Sequence, residues 1–242
     1  MTKSHHEALT MFIRVISLLI ASSMTLPAMF AISPARAQMV LDKIELELGA
    51  HRSYDDIEVI NSGADPLYIQ IAPSRIKNPG HPDETRFSPR DPESLGLLVT
   101  PMRLIVQPKE RRRVRIVALD LQPPIDQVFR VTVKPVVGSI DSDQTAAVKV
   151  VVAYDTLVLV RPEDARAEIR GRRIGRVLLI ENLGNSCAVL LDGRQCDTSQ
   201  QDCRTLPAQR LYAGSEFRVE LPFDTPATYA VRFRDDIKTQ TF

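Results

Sequence analysis

From Val40 to Phe233, apolar side chains recur at every second position in short runs, and helical periods are scarce. A period of two places successive side chains on opposite faces of a pleated strand. Val40 to Leu48 carries Leu41, Ile44, Leu46 and Leu48 among Asp, Lys and Glu. Tyr54 to Asn61 and Leu67 to Pro73 follow, joined by the turn Ser62 to Pro66. Leu97 to Gln107, Arg111 to Leu119 and Val128 to Val136 continue the series. Proline, glycine, asparagine and aspartate punctuate the runs, as turns require. The expected class is all-β.

The longest apolar run of the folded part is Ala146 to Pro162, AAVKVVVAYDTLVLVRP. Its β-branched residues are stiff at χ1 and suit a pleated surface. Fully extended it would span roughly 50 Å, long for one strand. Pro162 stops it, having no N–H for a ladder. About seven strands precede Pro162, which fits a sandwich of roughly 120 residues. Arg75 to Gly96, polar with four prolines, reads as a long surface loop. Beyond Pro162 the pattern restarts. Ala165 to Ile169 reads as a short strand and Arg170-Gly171-Arg172 as a turn. Arg176 to Glu181, Ala188 to Leu191, Leu211-Tyr212, Glu216 to Leu221 and Thr228 to Phe233 read as further strands. Roughly 80 residues form this second, smaller β-domain, whose core buries proportionally less surface.

The first 37 of the 242 residues read as a secretory leader. Lys3 and Arg14 give a basic start, Met11 to Ala31 is apolar, and Ala35-Arg36-Ala37 fits a cleavage site ahead of Gln38. The expected division is 1–37 leader, 38–161 first domain and 162–242 second domain. The leader holds three of the 31 basic and one of the 30 acidic residues, leaving 28 and 29. So balanced a chain carries no signature of nucleic-acid binding. The basic run Arg111 to Arg113 reads as edge or strand-end decoration that discourages edge pairing. An exported chain meets an oxidising compartment, so Cys196 and Cys203, flanking a polar turn, are expected to pair, with Cys187 left as a small buried hydrophobe. No further Cys or His stands near enough to complete a zinc site.

Catalytic chemistry finds no footing. After the leader the chain has two histidines, His51 and His81, and no HExxH, GxSxG or phosphate-binding glycine loop. The neighbours Asp55-Asp56 and Asp235-Asp236 would face opposite ways on a strand, so neither is an acid–base pair. No enzyme activity, metal, cofactor or small-molecule substrate is expected.

Several segments, taken in order, resemble the PapD-like periplasmic chaperones of the chaperone–usher route of pilus assembly. They are VTPMRLIVQP from Val99, DQVFRV from Asp126, and the Val-rich run ending in Arg161-Pro162. Later come ENLGN from Glu181, LLDGRQC from Leu190, then Cys203, Leu206-Pro207 and RLYAG from Arg210, in the manner of the archaic and alternative branches. The resemblance implies two immunoglobulin-like β-sandwich domains in an L-shaped arrangement. It implies a periplasmic location, with pilus subunits and an outer-membrane usher as partners.

Such a chaperone stabilises a subunit by lending it a strand, a form of β-strand addition. The resemblance assigns Val148, Val150 and Val152 to the lent strand, and their spacing by two puts them on one face. Self-association of the free protein through that strand is a corollary. The family also anchors the subunit's C-terminal carboxylate on basic residues in the cleft. The two usual anchor positions fall at Glu45 and Leu157, where this chain departs from the pattern, so Arg130, Lys43 and Lys134 become the candidates. Asp126, Arg161 and Asp235 correspond to a charge cluster that sets the angle between domains. The alternative reading is an exported structural or adhesive sandwich protein, such as a pilus subunit or a carbohydrate-binding module. The absence of tryptophan speaks against a sugar platform.

Overall fold

The computed structural model describes residues 38–136 and 151–242. The leader with its cleavage site, Val148 and Val150 lie outside the described residues. The first half comprises β1 (Met39–Leu41), β2 (Glu45–Leu48), β3 (Tyr54–Asn61), β4 (Leu67–Lys77), β5 (Thr85–Phe87), the short helix α1 (Pro92–Leu95), β6 (Leu97–Thr100), β7 (Arg103–Val106), β8 (Arg111–Ala118), β9 (Gln127–Pro135) and β10 (Tyr154–Val160). One sheet runs β1-β3-β8-β6; the other runs β2-β10-β9-β4-β5, with β7 also on β4. All pairings are antiparallel except β2 with β10.

The alternation read from sequence is what closes this sandwich. Ile57 and Val59 of β3 and Val114 and Ile116 of β8 point inward from one sheet. Ile69 and Ile71 of β4, Phe129, Val131 and Val133 of β9, and Val158 and Val160 of β10 meet them from the other. On the outer face of that second sheet lie Val128, Arg130, Thr132 and Lys134 of β9 and Leu157 and Leu159 of β10.

Three expectations are corrected here. The segment 75–96 is not a bare loop. β4 runs on to Lys77, β5 pairs with its far end, and α1 follows. The helix is held by local chemistry: Asp91 accepts from the Glu93 and Ser94 backbone N–H groups, Pro92 opens it, and Gly96 closes it at φ 87°. The stretch 97–107 is two strands in different sheets, divided at Pro101. Within Ala146 to Pro162, the described strand is Tyr154–Val160, and Val151 to Ala153 carry no strand assignment.

The second half comprises β11 (Ile169–Ile174), β12 (Val177–Asn182), β13 (Ala188–Cys196), β14 (Cys203–Leu206), β15 (Gln209–Leu211), β16 (Glu216–Glu220), β17 (Ala227–Phe233) and β18 (Asp236–Thr241). Its sheets run β11-β12-β16 and β14-β13-β17-β18, with β15 also on β13. Arg170-Gly171-Arg172 is not a turn but the middle of β11. Gly171 is there because the Phe242 ring lies over it, where an added Cβ would sit 2.2 Å from a ring carbon. The turn falls instead at Gly175, with φ 58°. Cys196 and Cys203 face each other across β13 and β14 and are joined by a disulfide; Cys187 is free and buried.

A third apolar cluster joins the halves. Ile76, Val128, Leu157 and Leu159, from the outer face of the first half, pack with Cys187 and against Tyr212 of the second. The described residues of both halves thereby belong to one compact unit.

Candidate functional site

The outer face of the β2-β10-β9-β4-β5 sheet changes character along its length. At one end the second half buries it. Arg161 follows β10 directly and Pro162 comes next, so the strand delivers Arg161 into the seam. Its Nη1 donates to Asp126 Oδ2 at 3.1 Å and to the Cys187 carbonyl at 3.3 Å, and its Nη2 donates to Glu47 Oε1. Asp126 also accepts from Ser186 Oγ and the Cys187 N–H, each at 2.7 Å. The Arg161 side chain is 5% exposed and that of Asp126 2%. Such a pair survives burial only when its remaining donors and acceptors find partners, as most of these do. Burial works against the Arg161 charge, but the bond to Glu47 and the charges of Asp126 and Glu47 outweigh it and hold its pKa above the ordinary value. Burial pushes the Asp126 carboxyl up, against the opposing pull of Arg161 and of its bonds from Cys187 and Ser186.

Asp235 borders the same region but makes no ion pair with Arg161; Glu47 stands in that place. Sequence reasoning missed Glu47, and also Arg210, which grips Glu45 through two bonds of 2.9 and 2.7 Å. Glu45 and Leu157 are direct partners between β2 and β10. The two family anchor positions therefore sit side by side, one neutralised by Arg210 and the other packed in the apolar seam.

The middle of the face is charged. Arg130 is paired with Leu157 across β9 and β10, and its Nη1 donates to the Asp155 carbonyl at 3.2 Å. The Asp155 carboxylate takes Arg86 at 2.6 Å and Thr132 Oγ1 at 2.8 Å. Burial pushes the Asp155 carboxyl up, but Arg86, Thr132 and the charge of Arg130 outweigh this and hold it below the usual range. Lys134 continues this face and is exposed. Lys43 is turned away to Asp55, at 3.0 Å, a carboxylate it shares with Arg52.

At the far end the face is apolar. Tyr68, Leu104, Ile105 and Val136 line an open groove of about 710 Å³, and Tyr68, Ile105 and Val136 are each roughly half exposed. The sheet edge changes as well. β10 pairs with β9 from Tyr154 to Val160, but with β2 only from Leu157 to Val160. No strand among the described residues pairs with the other side of Tyr154 to Thr156. Val151 and Val152 precede that open edge and are 44% and 41% exposed.

Among the described residues, no group of His, Cys, Asp and Glu could hold a metal, and no helix is long and apolar enough to cross a membrane. No family model and no curated protein sequence matches the chain. Solved structures do. The class 5 fimbriae chaperone CfaA is 22% identical at a TM-score of 0.60, with 84% of this chain and 98% of that one covered. A chain of the Salmonella enterica SafA pilin–SafB chaperone complex is 14% identical at 0.64, with 87% and 98% covered. A chain of the CsuC–CsuE chaperone–tip adhesion subunit pre-assembly complex, from the archaic chaperone–usher Csu pili of Acinetobacter baumannii, is 13% identical at 0.59, with 85% and 98% covered. The all-β chain thus has the fold of the fimbrial chaperones along most of its length.

Proposed function

We propose that the chain is a periplasmic chaperone that binds pilus subunits by lending them a strand and hands them to an outer-membrane usher. The observation that carries this reading is the half-open edge of β10. Its first residues offer backbone groups to one side with no strand partner among the described residues, and an unpaired edge is a template for a partner's strand. The exposed Val152, with Val150 and Val148 before it, supplies the alternating apolar side chains that an incomplete sandwich lacks. Two sandwiches sharing one seam, divided at Arg161-Pro162, suit a chaperone better than a single-sandwich pilus subunit.

Arg130 is the basic side chain best placed to take a subunit's terminal carboxylate. It lies on the outer face beside Leu157, and its contact with the Asp155 carboxylate is loose, at 4.0 Å. Lys134 is a second candidate farther along the same strand, while Lys43 is engaged by Asp55.

The test is capture of a subunit encoded beside an usher-like gene, by co-expression and purification from the periplasm. Val150→Asp and Val152→Asp should each abolish a one-to-one complex while the chaperone itself stays folded. Arg130→Ala should weaken capture by about tenfold, the scale of one charge-assisted contact. Unchanged subunit yield with both valine variants would sink the reading.

A further inference from the structure

Between the halves lies a cavity of about 270 Å³ in which two guanidiniums lack an ion-pair partner among the described residues. Glu45, Glu47, Arg161, Arg210, Arg232, Arg234 and Asp235 line it. Two of its carboxylates are already engaged internally, Glu45 by Arg210 and Glu47 by Arg161. Arg232, on β17, and Arg234, just beyond it, form no ion pair among the described residues. Arg234 instead rests against the Phe233 ring at 5.6 Å. Cys187 shares the lining and adds no charge, because burial pushes its thiol up. Arg161 is met by both Glu47 and Asp126, and Arg210 by Glu45, so Arg232 and Arg234 are the two guanidiniums of the lining without an ion pair among the described residues.

A guanidinium is always charged and presents its donors as a rigid fork that fits a pair of oxygens. One carboxylate has two oxygens, enough for one fork. A phosphate-type anion has enough oxygens to engage two forks at once. Arg210 is held at the back by Glu45, and its side chain is only 21% exposed, so the wall is positioned before any ligand arrives.

We propose that this cavity binds a small phosphate-class oxyanion, gripped by Arg232 and Arg234 with Arg210 behind them. The site is separate from the open edge of β10, so it stands or falls without a pilus subunit.

The experiment titrates the intact chain with inorganic phosphate, and in parallel with acetate, at fixed ionic strength. Calorimetry and thermal unfolding are the readouts. Phosphate should bind and raise Tm by about 2–4 °C well above its Kd, while acetate at the same concentration should not. The double variant Arg232→Gln with Arg234→Gln should bind at least about tenfold more weakly with an unchanged circular dichroism spectrum. Asp235→Asn, which removes the opposing charge and cannot create a cavity, should bind more tightly. Equal responses to acetate and phosphate, wild-type affinity in the double variant, or weaker binding by Asp235→Asn would overturn the proposal.

Discussion

The two sandwiches solve one local problem identically and the global one differently. Each has a strand that ends in a buried asparagine followed two residues later by glycine: Asn61 before Gly63, and Asn182 before Gly184. Asn61 Nδ2 donates to the Asp65 and Val106 carbonyls and its Oδ1 accepts the Gly63 N–H. Asn182 does the same with Ser186, Leu211 and Gly184, and also accepts the Glu168 N–H. A buried corner must satisfy its backbone groups wherever it occurs, so the same residue recurs. The cores diverge. Among the described residues, the first is a continuous cluster of 21 buried residues between two large sheets, whereas the second has nine and adds a disulfide between adjacent strands. Core size, not sheet chemistry, decides where a covalent staple is useful.

The largest expected effect breaks the link between the halves. Arg161→Ala leaves Asp126 buried without its cation and should cost about 3–5 kcal/mol. One calorimetric transition should split into two, the second half melting first. A single undivided transition would mean that the apolar seam of Val128, Leu157, Leu159 and Cys187 suffices to couple them. Next come the corners. Asn61→Ala and Asn182→Ala each strand buried backbone groups and should cost about 2–3 kcal/mol in chemical denaturation. If the core comparison holds, the second half tolerates its loss less well and Asn182→Ala gives the lower yield of folded protein. Below these sits the staple. In the Arg161→Ala background, Cys196→Ser with Cys203→Ser releases a short loop and should cost about 2 kcal/mol, seen only in the transition of the second half. A loss in the transition of the first half instead would show that the two cores do not melt independently.

What the sequence discloses about this molecule follows the range of each interaction. Strand alternation is a neighbour effect, and most of β3, β8, β9, β12, β16 and β17 lies where the pattern puts it. The α1 signals, Asp91-Pro92 and Gly96, are also local and were legible, but four residues give no helical period to notice. Gly171 misleads because its cause is the Phe242 ring, far along the chain. The seam is harder still. Asp126 and Arg161 emerge through the family resemblance, not through any pattern in the residues. Their partner Glu47 lies 114 residues from Arg161, and Arg210 lies 165 residues from Glu45. Glutamate in an alternating strand reads as solvated, and only the packing of the second half reveals otherwise. The valines proposed for a lent strand are singled out only by the family resemblance, because a Val-rich run is equally the mark of a core strand, as Val158 and Val160 show.

The smallest effect is expected on the outer face of the β1-β3-β8-β6 sheet, and it sharpens the contrast with the buried seam. Arg111 and Arg113 share Glu58 there, and Arg115 grips Asp56 with two bonds of 2.8 and 3.0 Å. These arginines are more than half exposed, so each pair is screened and worth little. The basic run Arg111 to Arg113 opens β8 and is exposed at all three positions. Arg115→Ala should shift Tm by less than about 2 °C, and less again in high salt. Its pH dependence identifies the cause. The Arg115 hydrogen bond holds the Asp56 carboxyl below its usual range, so its folded pKa lies under its unfolded one. That contribution is present above about pH 4 and is lost as pH falls through the folded value. The gap between wild type and Arg115→Ala should therefore close on acidification. A gap that persists in acid would assign the effect to the Arg115 guanidinium over the Tyr54 ring, 4.6 Å from its centroid, a contact that protonating Asp56 does not break.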